Sequence, residues 1–142
     1  MTLHVIYGAK PADRIGELTA IAHWLADWAK DVNAFDQNLI CLGDFNIDRA
    51  GDPNYQAFTS SGLQPSLELR GLPRTIFKGG TDKFFDQIAW FTGNNGAPAL
   101  SLTYSGHAAN FDFPAVWQTD LTPEQLSFKI SDHYPLWVEF NL

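Results

Sequence analysis

The chain has 142 residues and a mass of 15.8 kDa, one domain's worth of polypeptide and enough to bury a real core. Hydrophobic residues at 45% and aromatics at 14% mark it as globular rather than disordered. With 16 Asp and Glu against 9 Lys and Arg, the net charge is −7, and no Lys/Arg cluster of the kind a passive nucleic-acid-binding module needs is visible.

The chain opens on a strand, Leu3 to Tyr7, without the charged segment and long apolar run of a signal peptide. A domain that begins directly on a strand suggests further sequence upstream. From Pro11 to Lys30, apolar residues at Ile15, Leu18, Ala22, Leu25 and Ala29, joined by Ile21 and Trp28, have the three-four spacing of an amphipathic helix. Pro11 is tolerated in its first turn, and His23 falls on the solvated flank. A buried strand follows at Asn38–Gly43. It carries the single Cys41, which excludes an internal disulfide and reads as a small core residue.

Asp52-Pro53 is a helix start, with aspartate capping and proline at the first helical position, and Gly62 closes a helix from Pro53 to Ser60. Residues 63–83 are rich in turn formers, with one extended piece at Arg74–Phe77. Phe84 to Phe91 is a second strong strand, on which alternation puts Phe84, Asp86, Ile88 and Trp90 on one face. Residues 92–119 read as loop, and His107 lies there with no partner suggested. Thr122 and Gln125 predict a capped helical turn over Thr122–Leu126. The last strand is Pro135–Asn141, where Leu136, Val138 and Phe140 alternate with Trp137 and Glu139. No stretch approaches the length of a membrane span, and no repeat or linker divides the chain. The class is α/β, in one domain over residues 1–142.

Four polar sites end or interrupt these strands: His4; Asp44 with Asn46; Asp86; and Asp132 with His133. Each has an ordinary structural reading. A lone histidine in a terminal strand is commonly structural, and Gly-Asp-x-Asn after a strand is ordinary turn composition. Asp-His before a strand is ambiguous alone. Asp86 is harder to dismiss, because a carboxylate buried without partners costs several kcal/mol and so requires a cation or donor beside it.

Taken together, "LHV", "LGDFN", "FDQI" and "SDHYP" before a terminal strand resemble the C-terminal half of the endonuclease/exonuclease/phosphatase superfamily, with its DNase I-like fold. The segment Phe111 to Trp117, "FDFPAVW", resembles the stretch preceding the last motif in DNase I-type members. The resemblance covers essentially the whole chain. It implies a four-layered α/β/β/α sandwich and a divalent-metal-dependent phosphoester hydrolase, most simply nuclease-like. Asp44 would orient or deprotonate the attacking water, and Asn46 would bind a non-bridging phosphate oxygen. Asp86 would hold His133 charged and oriented toward the scissile phosphate, and His4 would contact the phosphate or leaving group. Asp132 would lie at the position of the metal, Mg²⁺ or else Mn²⁺ or Ca²⁺. A metal would also reconcile phosphate binding with an acidic chain.

The full domain of that family is about twice this length, and its first half supplies an Asn and a Glu metal ligand with no counterpart here. The resemblance therefore implies a half-domain, inactive alone, with a bare aromatic sheet face that drives it to a homodimer. The partner expected at the site is a phosphoester, DNA or RNA among the options. The alternatives are a phosphatase acting on small phosphoesters or lipids, and a non-catalytic self-associating or partner-binding half-domain.

Overall fold

A computed structural model of the chain describes residues 1–77, 83–117 and 120–141. The turn-rich stretches expected at 63–83 and 92–119 thus lie partly outside the described residues. The apolar stripe winds into α1 (Ile15–Lys30), entered through a 3₁₀ turn at Pro11–Arg14. Leu18, Ala22, Leu25, Ala26 and Ala29 are buried. Trp28 instead packs against Trp24 on the outer side, ring centroids 5.5 Å apart, and stays partly exposed. The second helix, α2 (Pro53–Thr59), starts where the cap signal puts it, with the Asp52 carboxylate accepting from the Tyr55 N–H at 2.7 Å.

Four strands form the first sheet: β1 (Thr2–His4), β2 (Ile40–Asp44), β3 (Leu63–Pro65) and β4 (Asp86–Phe91), in the order β1-β2-β4-β3. β1 is parallel to β2, and β4 is antiparallel to both β2 and β3. β1 is shorter than expected. It ends at His4, and Ile6 and Tyr7 beyond it are exposed. Gly43 explains how closely β1 approaches β2: its φ is +142°, and a Cβ there would fall 1.9 Å from the Leu3 carbonyl oxygen. Only glycine fits. One face of this sheet, with Cys41, Ala89 and Phe91, buries against Leu18, Leu25 and Ala29 of α1 and Phe58 of α2.

The stretch read as loop contains a strand. β5 (Thr103–Asn110) pairs antiparallel with β6 (Leu136–Asn141), with a register shift between Tyr104 and Ala108, where Gly106 has φ +86°. Leu136, Val138 and Phe140 of β6 and Tyr104 of β5 pack on Ile88 and Trp90, so the two sheets face each other. The expected bare aromatic face is consequently largely covered, and Trp90 is only 8% exposed. Phe84 does not share the face of Ile88 and Trp90 as alternation suggested. Regular pairing of β4 begins only at Asp86, and Phe84 turns to the helix-side core.

α3 (Phe113–Val116) and α4 (Pro123–Lys129) enclose a smaller cluster of Ile76, Phe113 and Leu126. The capping box of Thr122 and Gln125 forms as expected. The extended piece at Arg74–Phe77 reduces to one bridge, Thr75 with His133. Helix layer, sheet and sheet are the part of the four-layered α/β sandwich that the described residues build.

Candidate active site

Strand register gathers the site. His4 pairs with Asp44 across β1 and β2, and Asp44 pairs with Asp86 across β2 and β4, so the three residues form one transverse row. In-register neighbours share a face, so all three side chains stand on the side of Ile88 and Trp90, at the end of the first sheet. His4 Nε2 lies 3.7 Å from Asp44 Oδ2, with the imidazole largely exposed.

His133 reaches this row from the segment before β6. Its Nδ1 donates to Asp86 Oδ2 at 2.8 Å, the role open to it against an ionised carboxylate. Its ring stacks on Phe85, with centroids 5.9 Å apart and planes 16° from parallel. The backbone fixes it too: Ser131 Oγ accepts from the His133 N–H, and flanking bonds run from the Ile76 N–H to the Asp132 carbonyl and from the Tyr134 N–H to the Arg74 carbonyl. With Nδ1 occupied, Nε2 is the free nitrogen, 4.0 Å from Asp132 Oδ2. The hydrogen bond to Asp86 raises the His133 pKa above its ordinary value, burial opposing it only in part.

Asn46 sits differently from the rest. It is 4% exposed, has φ +51°, and its amide donates to the Val5 carbonyl at 2.7 Å while its N–H donates to Asp44 Oδ1 at 2.8 Å. It borders the cleft and locks the Asp44 loop to the exit of β1. Burial, with the nearby Asp86 as a lesser cause, raises the Asp44 pKa against the lowering effect of the Asn46 N–H. Asp132 is the most exposed acid of the set. A cleft bordered by His4, Asp44, Asn46, Phe85, Asp132 and His133 joins all the candidates except Asp86, which backs His133 from the adjoining hollow.

Two buried arginines that sequence reasoning passed over hold this geometry. Arg14, 2% exposed, donates from Nε to the Tyr7 carbonyl at 2.6 Å and from Nη1 to the Asn46 carbonyl and to Asp48. It sits four residues before Leu18, so it continues the buried stripe of α1, and that position was its signal. Asp48 also receives Lys83 Nζ at 2.8 Å; burial pushes its pKa up, but Lys83 and Arg14 outweigh that and lower it. Arg74 is fully buried, donates from Nε to the Asp86 carbonyl at 2.9 Å and lies over the Phe84 ring at 4.8 Å. Burial lowers its pKa to about 10 against the attraction of Asp86. Nothing around Pro73-Arg74 in the sequence announces this role.

Among the described residues, no group of three or more His, Cys, Asp or Glu is arranged to hold a metal ion. The donors the cleft offers are the carboxylates of Asp132 and Asp44. Their chemistry suits a hard cation such as Mg²⁺, which keeps several waters and takes one or two protein carboxylates beside substrate phosphate oxygens. Two carboxylates are too few to form a cage by themselves.

No family model matches the chain. A deoxyribonuclease-1-like 1 of Chlorocebus aethiops is 35% identical over 116 residues, covering 75% of this chain and 33% of that protein. The solved structure of a mannosyl-6-phosphatase of Bacteroides thetaiotaomicron VPI-5482 is similar with a TM-score of 0.57 at 21% identity, over 99% of this chain and 50% of that one. The chain thus spans about a third of the curated relative it matches and half of the solved structure. At that partial coverage the sequence relative and the fold neighbour both point to the endonuclease/exonuclease/phosphatase superfamily, with its DNase I-like fold.

Proposed function

We propose that the chain carries the acid-base half of a divalent-metal-dependent phosphodiesterase, nuclease-like in its substrate. The observation that carries this reading is the His133–Asp86 pair at 2.8 Å, standing beside Asp44 and His4 on one sheet end. A phosphodiester needs its negative charge offset in the transition state and a water aligned behind phosphorus. Asp44, whose carboxylate borders the cleft, accepts a proton from that water. His133, held through Nδ1 by Asp86 and stacked on Phe85, donates from Nε2 to a phosphate oxygen as charge develops there. His4 contacts the phosphate or the leaving group from β1. Asn46 fixes the loop that aims Asp44, and its remaining amide hydrogen is available to a non-bridging oxygen.

Asp132 would hold Mg²⁺, or Mn²⁺ or Ca²⁺, and the bound ion would neutralise phosphate charge that this acidic chain does not itself offset. With so few carboxylates, binding of the ion is weak, and the 142-residue chain alone turns over slowly. A nucleic acid is the favoured substrate class, DNA foremost, because a relative 35% identical is a deoxyribonuclease-1-like protein.

The test is hydrolysis of duplex DNA, RNA, bis(p-nitrophenyl) phosphate and p-nitrophenyl phosphate by the native polypeptide that carries this chain, with Mg²⁺ and with EDTA. Metal-dependent diester cleavage, lost in His133→Ala, is the expected result. Cleavage of the monoester alone would make it a phosphatase of small phosphoesters. Inertness toward all four would leave a non-catalytic, partner-binding half-domain.

A further inference from the structure

The end of β4 away from Asp86 opens into a second hollow, bordered by Gln64, Ser66, Glu68, Trp90, Asn94 and Tyr104. Trp90 lies four residues along the strand from Asp86, about 13 Å at the usual rise, so this is not the cleft of His133. Its polar wall is built around one carboxylate oxygen. Ser66, 4% exposed, donates its hydroxyl to Glu68 Oε2 at 2.7 Å, and the Tyr104 hydroxyl donates to the same atom at 2.8 Å. Ser66 foremost, then the Glu68 backbone and Tyr104, hold the Glu68 pKa below the usual carboxylate range, so the group is ionised at neutral pH. The other wall is aromatic: the rings of Trp90 and Tyr104 lie 5.0 Å apart and are tilted by 52°.

The chemistry of this lining selects a class of guest. Among the described residues it holds one acid and no Lys, Arg or His. A phosphate or other anion would meet an uncompensated negative charge, and a purely apolar guest would leave the exposed Glu68 carboxylate unused. An ammonium group suits this lining, pairing with the carboxylate beside the half-buried Tyr104 ring and the small part of Trp90 that Tyr104 and Phe140 leave uncovered. We propose that this hollow binds the ammonium head of a small organic cation, with Glu68 as counter-ion and Trp90 and Tyr104 as aromatic walls. The competing reading is a strut, in which the same hydrogen bonds only tie the segment after β3 to β5.

Titration of the 142-residue chain with tetramethylammonium chloride separates the two. The readout is the indole N–H resonance of Trp90, identified by its loss in Trp90→Phe. Sodium chloride at matched ionic strength and methyl α-mannoside serve as comparison solutes. A saturable shift with tetramethylammonium alone is expected, weakened about tenfold or more in Glu68→Gln, the scale of one charge-assisted contact. Absence of a saturable shift, an equal shift with sodium, saturation by the neutral sugar, or undiminished binding in a folded Glu68→Gln would each overturn the proposal and leave the strut. The measurement involves no turnover, so its failure is separate from any failure of the hydrolase reading.

Discussion

His133 and Asp86 lie 47 residues apart in sequence and meet at 2.8 Å, imidazole Nδ1 to carboxylate Oδ2. The contact leaves one imidazole nitrogen free and fixes which one it is. A pair of this kind is expected to act as a unit, which a double variant tests.

Where the proposed diester cleavage is detected, His133→Ala should lower turnover by about two to four orders of magnitude, the scale of losing an acid-base or charge-stabilising group. Asp86→Asn should cost a comparable factor, because an amide no longer supports the imidazolium. If the two side chains act together, the double variant should be scarcely worse than His133→Ala. Steady-state kinetics on bis(p-nitrophenyl) phosphate, with circular dichroism to verify folding, provides the comparison. Full additivity would separate the two residues functionally.

The same contact has a pH signature in metal-free buffer. The folded-state pKa of His133 is raised, foremost by its hydrogen bond to Asp86. A histidine with a raised folded pKa contributes stability fully below its unfolded value near 6.5, and loses it as pH rises through the higher folded value. Asp44 acts in the same direction at lower pH, since burial raises its pKa and its ionisation above 3.8 disfavours the folded state. Urea midpoints should therefore fall from pH 6 to pH 8, and His133→Gln should flatten that slope. Proton NMR should find the His133 titration above 6.5, moving down in Asp86→Asn.

Arg74 reaches the site through the backbone. Replacing it with Lys removes the Nε–H bond to the Asp86 carbonyl and leaves a buried ammonium in a space shaped for a planar fork. A loss of about 3 kcal/mol is expected, the scale of breaking a buried charged contact. The His133 pKa should fall as Asp86 loses its anchor. Chemical denaturation and the His133 titration, measured on the same variant, test both effects.

Glycine substitutions should divide by sign. Gly43→Ala forces a Cβ to within 1.9 Å of the Leu3 carbonyl oxygen at φ +142°, which the chain relieves only by moving β1. That should cost about 3 kcal/mol or more, and displace His4 with its strand. Gly16→Ala, in the first turn of α1 with nothing within 4 Å of the added carbon, should stabilise by up to about 1 kcal/mol. Equal effects in urea titrations would contradict the close approach at Gly43.

Strong periodic segments and motif residues were legible because their pattern is local. The stripe of α1, the Asp52 cap, the Thr122–Gln125 box and the alternation of β6 each need only neighbours a few residues away. β5 was not legible. Thr103–Asn110 contains Ser, Gly, His and two Ala, and becomes a strand because β6 and Trp90 lie against it. The candidate acids and histidines could be named from their motifs, but their supports could not. Arg14 and Arg74 act through carbonyls 32 and 12 residues away, a partnership that only the folded backbone defines. Phe85 sits under His133 because the chain before β4 leaves regular alternation.

The part of the first sheet that β5 and β6 leave open predicts self-association, which remains to be measured. By register, Thr2 and Leu42 share the face of Ile88 and Trp90, yet Leu42 at the centre of β2 is 37% exposed. Ile6 and Tyr7, just past β1, are 55% and 62% exposed. Each Å² of such surface left in water forgoes about 25 cal/mol, and patches beyond a few hundred Å² usually find a partner. A second copy related by a two-fold axis offers the same face and extends the sheet-on-sheet packing that β5 and β6 begin. Sedimentation velocity of the 142-residue chain at micromolar concentration should give twice the 15.8 kDa chain mass. Leu42→Glu, which puts a charge in the middle of the open strip, should return the monomer. A wild-type chain that remains monomeric at a hundredfold higher concentration would show that Leu42 and its neighbours are tolerated in water, and that the open strip is not an interface.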